Sequence, residues 1–125
     1  MLQLLTNVTI GDNSGATKGS LIKVLKPKNS KVALIGSVFL VSIKRNISHS
    51  KIRKGHIAKA ILIRSNVKTS LISHLQTWGD SHLILVNTKG GDYLPIGSRI
   101  KGPISSKLKN ITGMQKIISI CKRSL

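Results

Sequence analysis

The sequence predicts a mainly β fold: a small closed or nearly closed barrel of about five strands. Three observations lead there. Short runs rich in Val, Ile and Leu recur along the chain, each of about five residues. Clusters of Gly, Asn, Asp, Ser and Pro separate them. Within the runs, apolar residues fall on both faces, as they do in strands that close on a core and are also covered outside.

Leu4–Ile10 reads as the first strand, closed by the turn formers Gly11-Asp12-Asn13-Ser14-Gly15. Gly19–Leu25 is the second and ends before the basic loop Lys26-Pro27-Lys28-Asn29-Ser30-Lys31. Val38–Lys44 follows Gly36 as the third, and a long basic connection from Arg45 to His56 leads to the fourth, Ile57–Arg64. Leu83–Asn87 is the fifth, bounded by Thr88-Lys89-Gly90-Gly91-Asp92. Ile96–Ile104 has Pro95, Gly97, Gly102 and Pro103 in or beside it, and reads as a kinked edge. In the fourth strand Ala58, Ala60 and Leu62 share one face, while Ile57, Lys59, Ile61 and Ile63 share the other. An outer cover is therefore needed, and the tail can supply it. Ser105 or Ser106 can cap a short helical turn. Met114, Ile117, Ile118 and Cys121 then recur at helical spacing, with Lys116 and Ser119 pointing outward. Without a repeat or linker, residues 1–125 read as a single domain, with a helical segment at about 105–121.

Charge narrows the function. Lys and Arg number 21 against three acids, Asp12, Asp80 and Asp92, for a formal charge of +18. The chain is nevertheless 40% apolar, so it folds rather than forming a basic tail, and a polyanion must neutralise it. Cys121 is the lone cysteine, which precludes an intrachain disulfide and suits a reducing compartment. Apolar runs such as Val38–Val41 are far short of the roughly 20 residues of a membrane span. Met1 to Ile10 lacks the charged start of a secretory signal and the arginines of a transit peptide. Lysine outnumbers arginine 16 to 5, beside 18 isoleucines, a balance that resembles the product of an AT-rich gene such as an organelle's.

Catalysis finds no support. Glutamate is absent and no phosphate-binding glycine loop occurs. Asp12 and Ser14 are explained by turn chemistry rather than by a triad. His49, His56, His74 and His82 match no zinc spacing, so neither metal nor cofactor is expected. The richest local signal runs from Lys44 to Lys59. Lys44, Arg45, Lys51, Arg53, Lys54 and Lys59 are interspersed there with Asn46, Ser48, His49 and Ser50, and with no acid. A merely solvated loop would mix in acids, so the stretch reads as an arm that contacts phosphates. Lys23, Lys26, Lys28, Arg64 and Lys101 extend the candidate RNA-binding set. Phe39, Trp78 and Tyr93 are too few for a stacking platform. Recognition then rests on the shape and backbone of a folded RNA. The rival reading is a free nucleic-acid-binding or compacting protein.

Several motifs stand in a specific order. Asp12-Asn13-Ser14-Gly15-Ala16, Ile22-Lys23-Val24-Leu25 and Ile35-Gly36 come first. Lys51-Ile52-Arg53-Lys54-Gly55 and Lys59-Ala60-Ile61-Leu62-Ile63-Arg64 follow. Pro95-Ile96-Gly97-Ser98-Arg99-Ile100, Gly102-Pro103 and Met114-Gln115-Lys116-Ile117-Ile118-Ser119 complete the set. From about residue 4 to about residue 120 this resembles the large-subunit ribosomal protein fourteen family, in its bacterial and organellar form. The resemblance implies a five-stranded barrel with a projecting ribbon and short C-terminal helices. It implies binding to large-subunit ribosomal RNA beside neighbouring proteins, on the face that meets the small subunit. There the family bridges to small-subunit RNA and offers a dock for a silencing factor. By motif, Ser98, Arg99, Lys116 and Ser119 would lie on that face. The chain departs from the family over Ser65–Thr77, which has only Lys68 and no glycine turn, and in its basic end Lys122-Arg123-Ser124-Leu125. These departures and the composition lead to the expectation of a mitochondrial ribosome in the matrix, with a bacterial or plastid ribosome as the alternative.

Overall fold

Eight strands are present in the computed structural model, which describes residues 2–26, 31–65 and 80–121, and the β-branched runs form the longest of them. In chain order they are β1 (Leu2–Gln3), β2 (Asn7–Ile10), β3 (Ala16–Lys26), β4 (Val32–Ala33) and β5 (Val38–Asn46). β6 (Ile57–Arg64), β7 (His82–Lys89) and β8 (Asp92–Pro95) follow. A 3-10 turn at Ser106–Asn110 and one helix, α1 (Gln115–Ile120), close the described chain.

The main sheet runs β2-β3-β5-β6-β7-β8, and β2 also pairs with β7. That pairing, Thr9 with His82 and Ile10 with Leu83, is parallel and closes five strands into a ring. The expected five-stranded barrel is therefore present, with β8 added as a sixth strand beside β7. Closure leaves the ring strands without a free edge. Its interior is filled by Ile10, Leu21, Phe39, Val41, Ile43, Leu62, Leu83 and Leu85, all buried. A second core lies outside the ring. Ile61, Ile63, Ile84 and Val86 pack there under Ile104, Leu108, Met114 and Ile117. The two apolar faces of β6 thus have separate partners, as its sequence requires, and the tail supplies the outer cover. Ser105 is the cap of the 3-10 turn, its side chain accepting from the Lys107 amide at 3.4 Å.

Three boundaries differ from the sequence expectation. Leu4–Ile10 is not one strand: β1 leaves to pair with β4, and Leu5 turns the chain at φ 66°. The Leu5 amide donates to the Leu21 carbonyl at 2.8 Å from this turned conformation, so apolarity alone misled. β3 and β5 run longer than Gly19–Leu25 and Val38–Lys44. The stretch Thr88 to Asp92 is mostly strand. Only Gly90 and Gly91 form the turn, both at positive φ, which suits the tight twist of a two-residue hairpin.

Candidate nucleic-acid interface

The basic residues reach the surface because the strands are bulged. In β5, Lys18 of β3 faces Arg45 and Gly19 faces Ile43, which leaves Lys44 as an extra residue. Regular alternation from Phe39, Val41 and Ile43 would turn residue 45 into the barrel. The bulge instead leaves Ile43 buried and both Lys44 and Arg45 exposed. In β3, Leu21 faces Val41 and Lys23 faces Leu40, so Ile22 is the extra residue. Lys18 and Lys23, an odd spacing apart, consequently share the outer surface. Lys18 was not among the candidates from sequence, yet it stands directly across from Arg45. No pattern in the chain could reveal it, because the parity it obeys is set by the bulges.

Leu40 also faces Lys59, so Lys23 and Lys59 flank it on one rung, with Cα atoms about 10 Å apart from the strand spacing. Lys59 Nζ donates to Thr88 Oγ1 at 3.1 Å. Lys26 lies 5.9 Å from the centre of the Tyr93 ring, a cation–π distance. Lys28 lies outside the described residues, as do Lys68, Trp78 and the basic end.

The connection after β5 is fastened at its base. Asn46 Nδ2 donates to Ser50 Oγ at 3.2 Å and to the Ile52 carbonyl at 3.1 Å, and Ser50 Oγ donates to the same carbonyl at 2.6 Å. The Ile47 amide donates to the Gly15 carbonyl at 2.7 Å. Gly15 has φ 103°, and any side chain there would collide with Ser50. Beyond this base Lys51, Arg53 and Lys54 are exposed. The tip is a turn in which the His56 amide donates to the Arg53 carbonyl at 3.2 Å, with Gly55 at φ 90°. Three cations are thus held on a short arm of fixed shape, next to Lys44, Arg45 and Lys18.

Arg64 requires a correction. It is only 7% exposed, at the end of β6. Its Nη1 donates to the Pro103 carbonyl at 2.8 Å, its Nε is buried without a partner, and it packs over Gly11 and Gly102. Burial lowers its pKa from the ordinary range. The side chain braces the segment after β8 against β6 and is not available to a phosphate. His82 beside it is held below its usual pKa, first by burial and then by the Arg64 charge, against the opposing pull of the Asp80 carbonyl and carboxylate.

The segment carrying Ser98 and Arg99 is clamped to the turn after β2. Asn13 Oδ1 accepts from the Arg99 amide at 3.0 Å, Asn13 Nδ2 donates to Ser98 Oγ at 2.9 Å, and the Lys101 amide donates to the Gly11 carbonyl at 2.7 Å. A side chain at Gly97 would sit 2.7 Å from Asn13 Oδ1, so only glycine permits this approach. Asp12 is buried behind it. Its Oδ1 accepts from the Ser14 hydroxyl at 2.5 Å and its Oδ2 from the Leu85 amide at 3.1 Å, which ties the turn to β7. Ser98, Arg99 and Lys101 are all exposed. Lys116 and Ser119 are exposed on α1, whose Ile117 joins Tyr93 of β8 in the outer core, and the Tyr93 amide donates to the Gly113 carbonyl just before the helix. The two pairs stand on separate elements.

The surface is a rigid, cation-rich shell with its one buried acid committed to the fold. Groups of three or more metal-ligating side chains are lacking among the described residues. Such a shell can hold the backbone of a folded polyanion. Residues 1–125, the whole chain, match the family described as ribosomal protein L14p/L23e. The chain belongs to that family: it is a structural component of the large ribosomal subunit, binding its RNA and neighbouring proteins, and it is not an enzyme.

Proposed function

We propose that the arm carrying Lys51, Arg53 and Lys54, with Lys18, Lys23, Lys26, Lys44, Arg45 and Lys59 beside it, anchors the protein on large-subunit ribosomal RNA. Lys28 and Lys101 extend that anchoring set. The opposite role falls to Ser98, Arg99, Lys116 and Ser119, which face the small subunit, contribute to a bridge with its RNA and offer a dock for a silencing factor. The observation that carries this division is the Asn13 clamp, which accepts from the amide and donates to the carbonyl of an exposed Arg99. An arginine so held presents its fork of donors to a phosphate or to a carboxylate of a partner. The departure from the family pattern over residues 65–82 and the lysine-rich composition support a mitochondrial ribosome.

Sedimentation tests both parts. The protein should remain with the large subunit through a high-salt wash, and in mitochondrial fractions; recovery on DNA instead would favour a free compacting protein. Arg99→Glu should give intact large subunits that join small subunits poorly or bind no silencing factor. A variant that fails to enter the large subunit would move Arg99 to the RNA-anchoring set.

A further inference from the structure

Beside the arm lies a groove of about 570 Å3, lined among others by Leu40, Ile52, His56, Ile57, Asn87 and Ile96. Its walls are unusual for so basic a surface. Ile57 is 65% exposed and Ile96 40%, one on β6 and one just past β8, with β7 running between them. Isolated exposed isoleucines need no explanation; here two share one concave surface and give it apolar walls open to a ligand. Asn87 is exposed, and its side-chain amide makes no hydrogen bond among the described residues. Lys59, joined to Thr88, also lines the groove, and no carboxylate does. Ile52 belongs to groove and arm alike, because its carbonyl is the one that Asn46 and Ser50 hold.

We propose that this groove receives an unpaired nucleobase of the RNA whose backbone the arm holds, an inference that rests on the RNA-binding reading above. The groove combines the chemistry of a nucleotide. Its aliphatic walls suit the two faces of a base, as apolar side chains do where bases are turned out of a stack. The Asn87 amide offers a donor and an acceptor to a base edge. Lys59 at the groove, with Arg53 and Lys54 on the adjoining turn, meets the flanking phosphates. A protein segment would need acids of its own to approach these cations. The arm already committed to RNA stands a few residues away. The aliphatic walls supply what the scarcity of aromatics in the chain denies.

The test uses the full-length protein and three labelled RNA hairpins with the same stem, read by fluorescence anisotropy. One is fully paired, one carries a single bulged adenosine, and one carries the same bulge without its base. The bulged RNA should bind roughly tenfold tighter than the paired one, equivalent to about 1.4 kcal/mol. The abasic RNA should fall back to the paired value, and so should the bulged RNA on an Ile57→Ser/Ile96→Ser protein. Equal binding of bulged and abasic RNA overturns the proposal without altering the protein at all. Full preference retained by the double variant also overturns it, and leaves the groove to a neighbouring protein. Absence of salt-dependent binding to all three hairpins would instead defeat the anchoring role itself.

Discussion

Replacing Lys51, Arg53 and Lys54 together by Gln tests whether the arm is electrostatic anchor or solvated loop. All three are exposed, and none of their side chains is hydrogen-bonded among the described residues. Each phosphate neutralised on a duplex contributes about −0.9 to the slope of log affinity against log salt. Three contacts therefore contribute about −2.7. Between 50 and 200 mM salt the native protein should lose roughly 40-fold more affinity than the variant, since a fourfold salt change is raised to that power. Stability should stay within about 0.5 kcal/mol, because surface changes away from caps and cores rarely do more. Anisotropy titrations on an RNA duplex at several salt concentrations, with a thermal melt of each protein, supply both numbers. A slope unchanged by the triple replacement refutes the assignment and returns the arm to solvent.

A companion variant separates charge from shape. Asn46→Ala keeps every cation but removes the bonds to Ser50 and Ile52 that fix the base of the arm. The arm must then be ordered on binding, at a cost that appears in affinity and not in the number of ions released. A several-fold weaker complex with the native salt slope is expected. A reduced slope would mean that the cations had themselves been displaced.

Three further outcomes follow from the described geometry. Asp12→Ala should destabilise the fold by about 1–3 kcal/mol in denaturant unfolding, because the buried Leu85 amide loses its acceptor. Arg64→Met should leave the salt slope of RNA binding unaltered, as a buried guanidinium bonded to Pro103 contacts no phosphate; a slope lowered by about one would restore it to the interface. The depressed pKa of His82 means that the unfolded chain takes up its proton first as pH falls, so the native protein should lose stability as pH drops below about 6.5, and His82→Asn should flatten that loss in melts across the range.

What the sequence reveals and conceals divides along physical lines. β6 was legible to the residue, because apolar side chains stand on both of its faces and each face has a core to fill, Ala60 and Leu62 inside the ring and Ile61 and Ile63 outside it. The covering tail was legible too, since Met114 and Ile117 repeat with the period of a helix and Ser105 is a good cap. Register was not. The parity that brings Lys18 to Arg45 and turns both Lys44 and Arg45 outward depends on bulges, and a bulge is a relation between two strands. Arg64 failed for a related reason. A cation at a strand end looks exposed in any sequence, and only the bare backbone at Gly11 and Gly102 makes room for it inside. The exposure of Ile57 and Ile96 was concealed in the same way: the sequence put Ile57 on a face to be covered and Ile96 at a kinked edge, and nothing in it joined the two in one groove.

The charge itself has a structural consequence. Asp12 is the only acid buried among the described residues, and it serves the Leu85 and Ser14 groups instead of neutralising a lysine. Asp80 and Asp92 are exposed and too few to balance the outer cations. The folded chain therefore concentrates like charges that the unfolded chain would spread apart, and repulsion opposes folding at low salt. On the proposed anchoring role RNA would reverse that balance, because it would bind the ordered arm and strands more tightly than a flexible chain. A partner at a hundredfold excess over its dissociation constant adds about 2.7 kcal/mol to stability by linkage. The bulges that expose Lys44, Arg45 and Lys23 would then act on both sides: they raise the electrostatic cost of the free protein and, on the proposed anchoring role, would supply the contacts that remove it. The two cores, one inside the ring and one beneath the tail, are what keep the free protein folded until its RNA is reached.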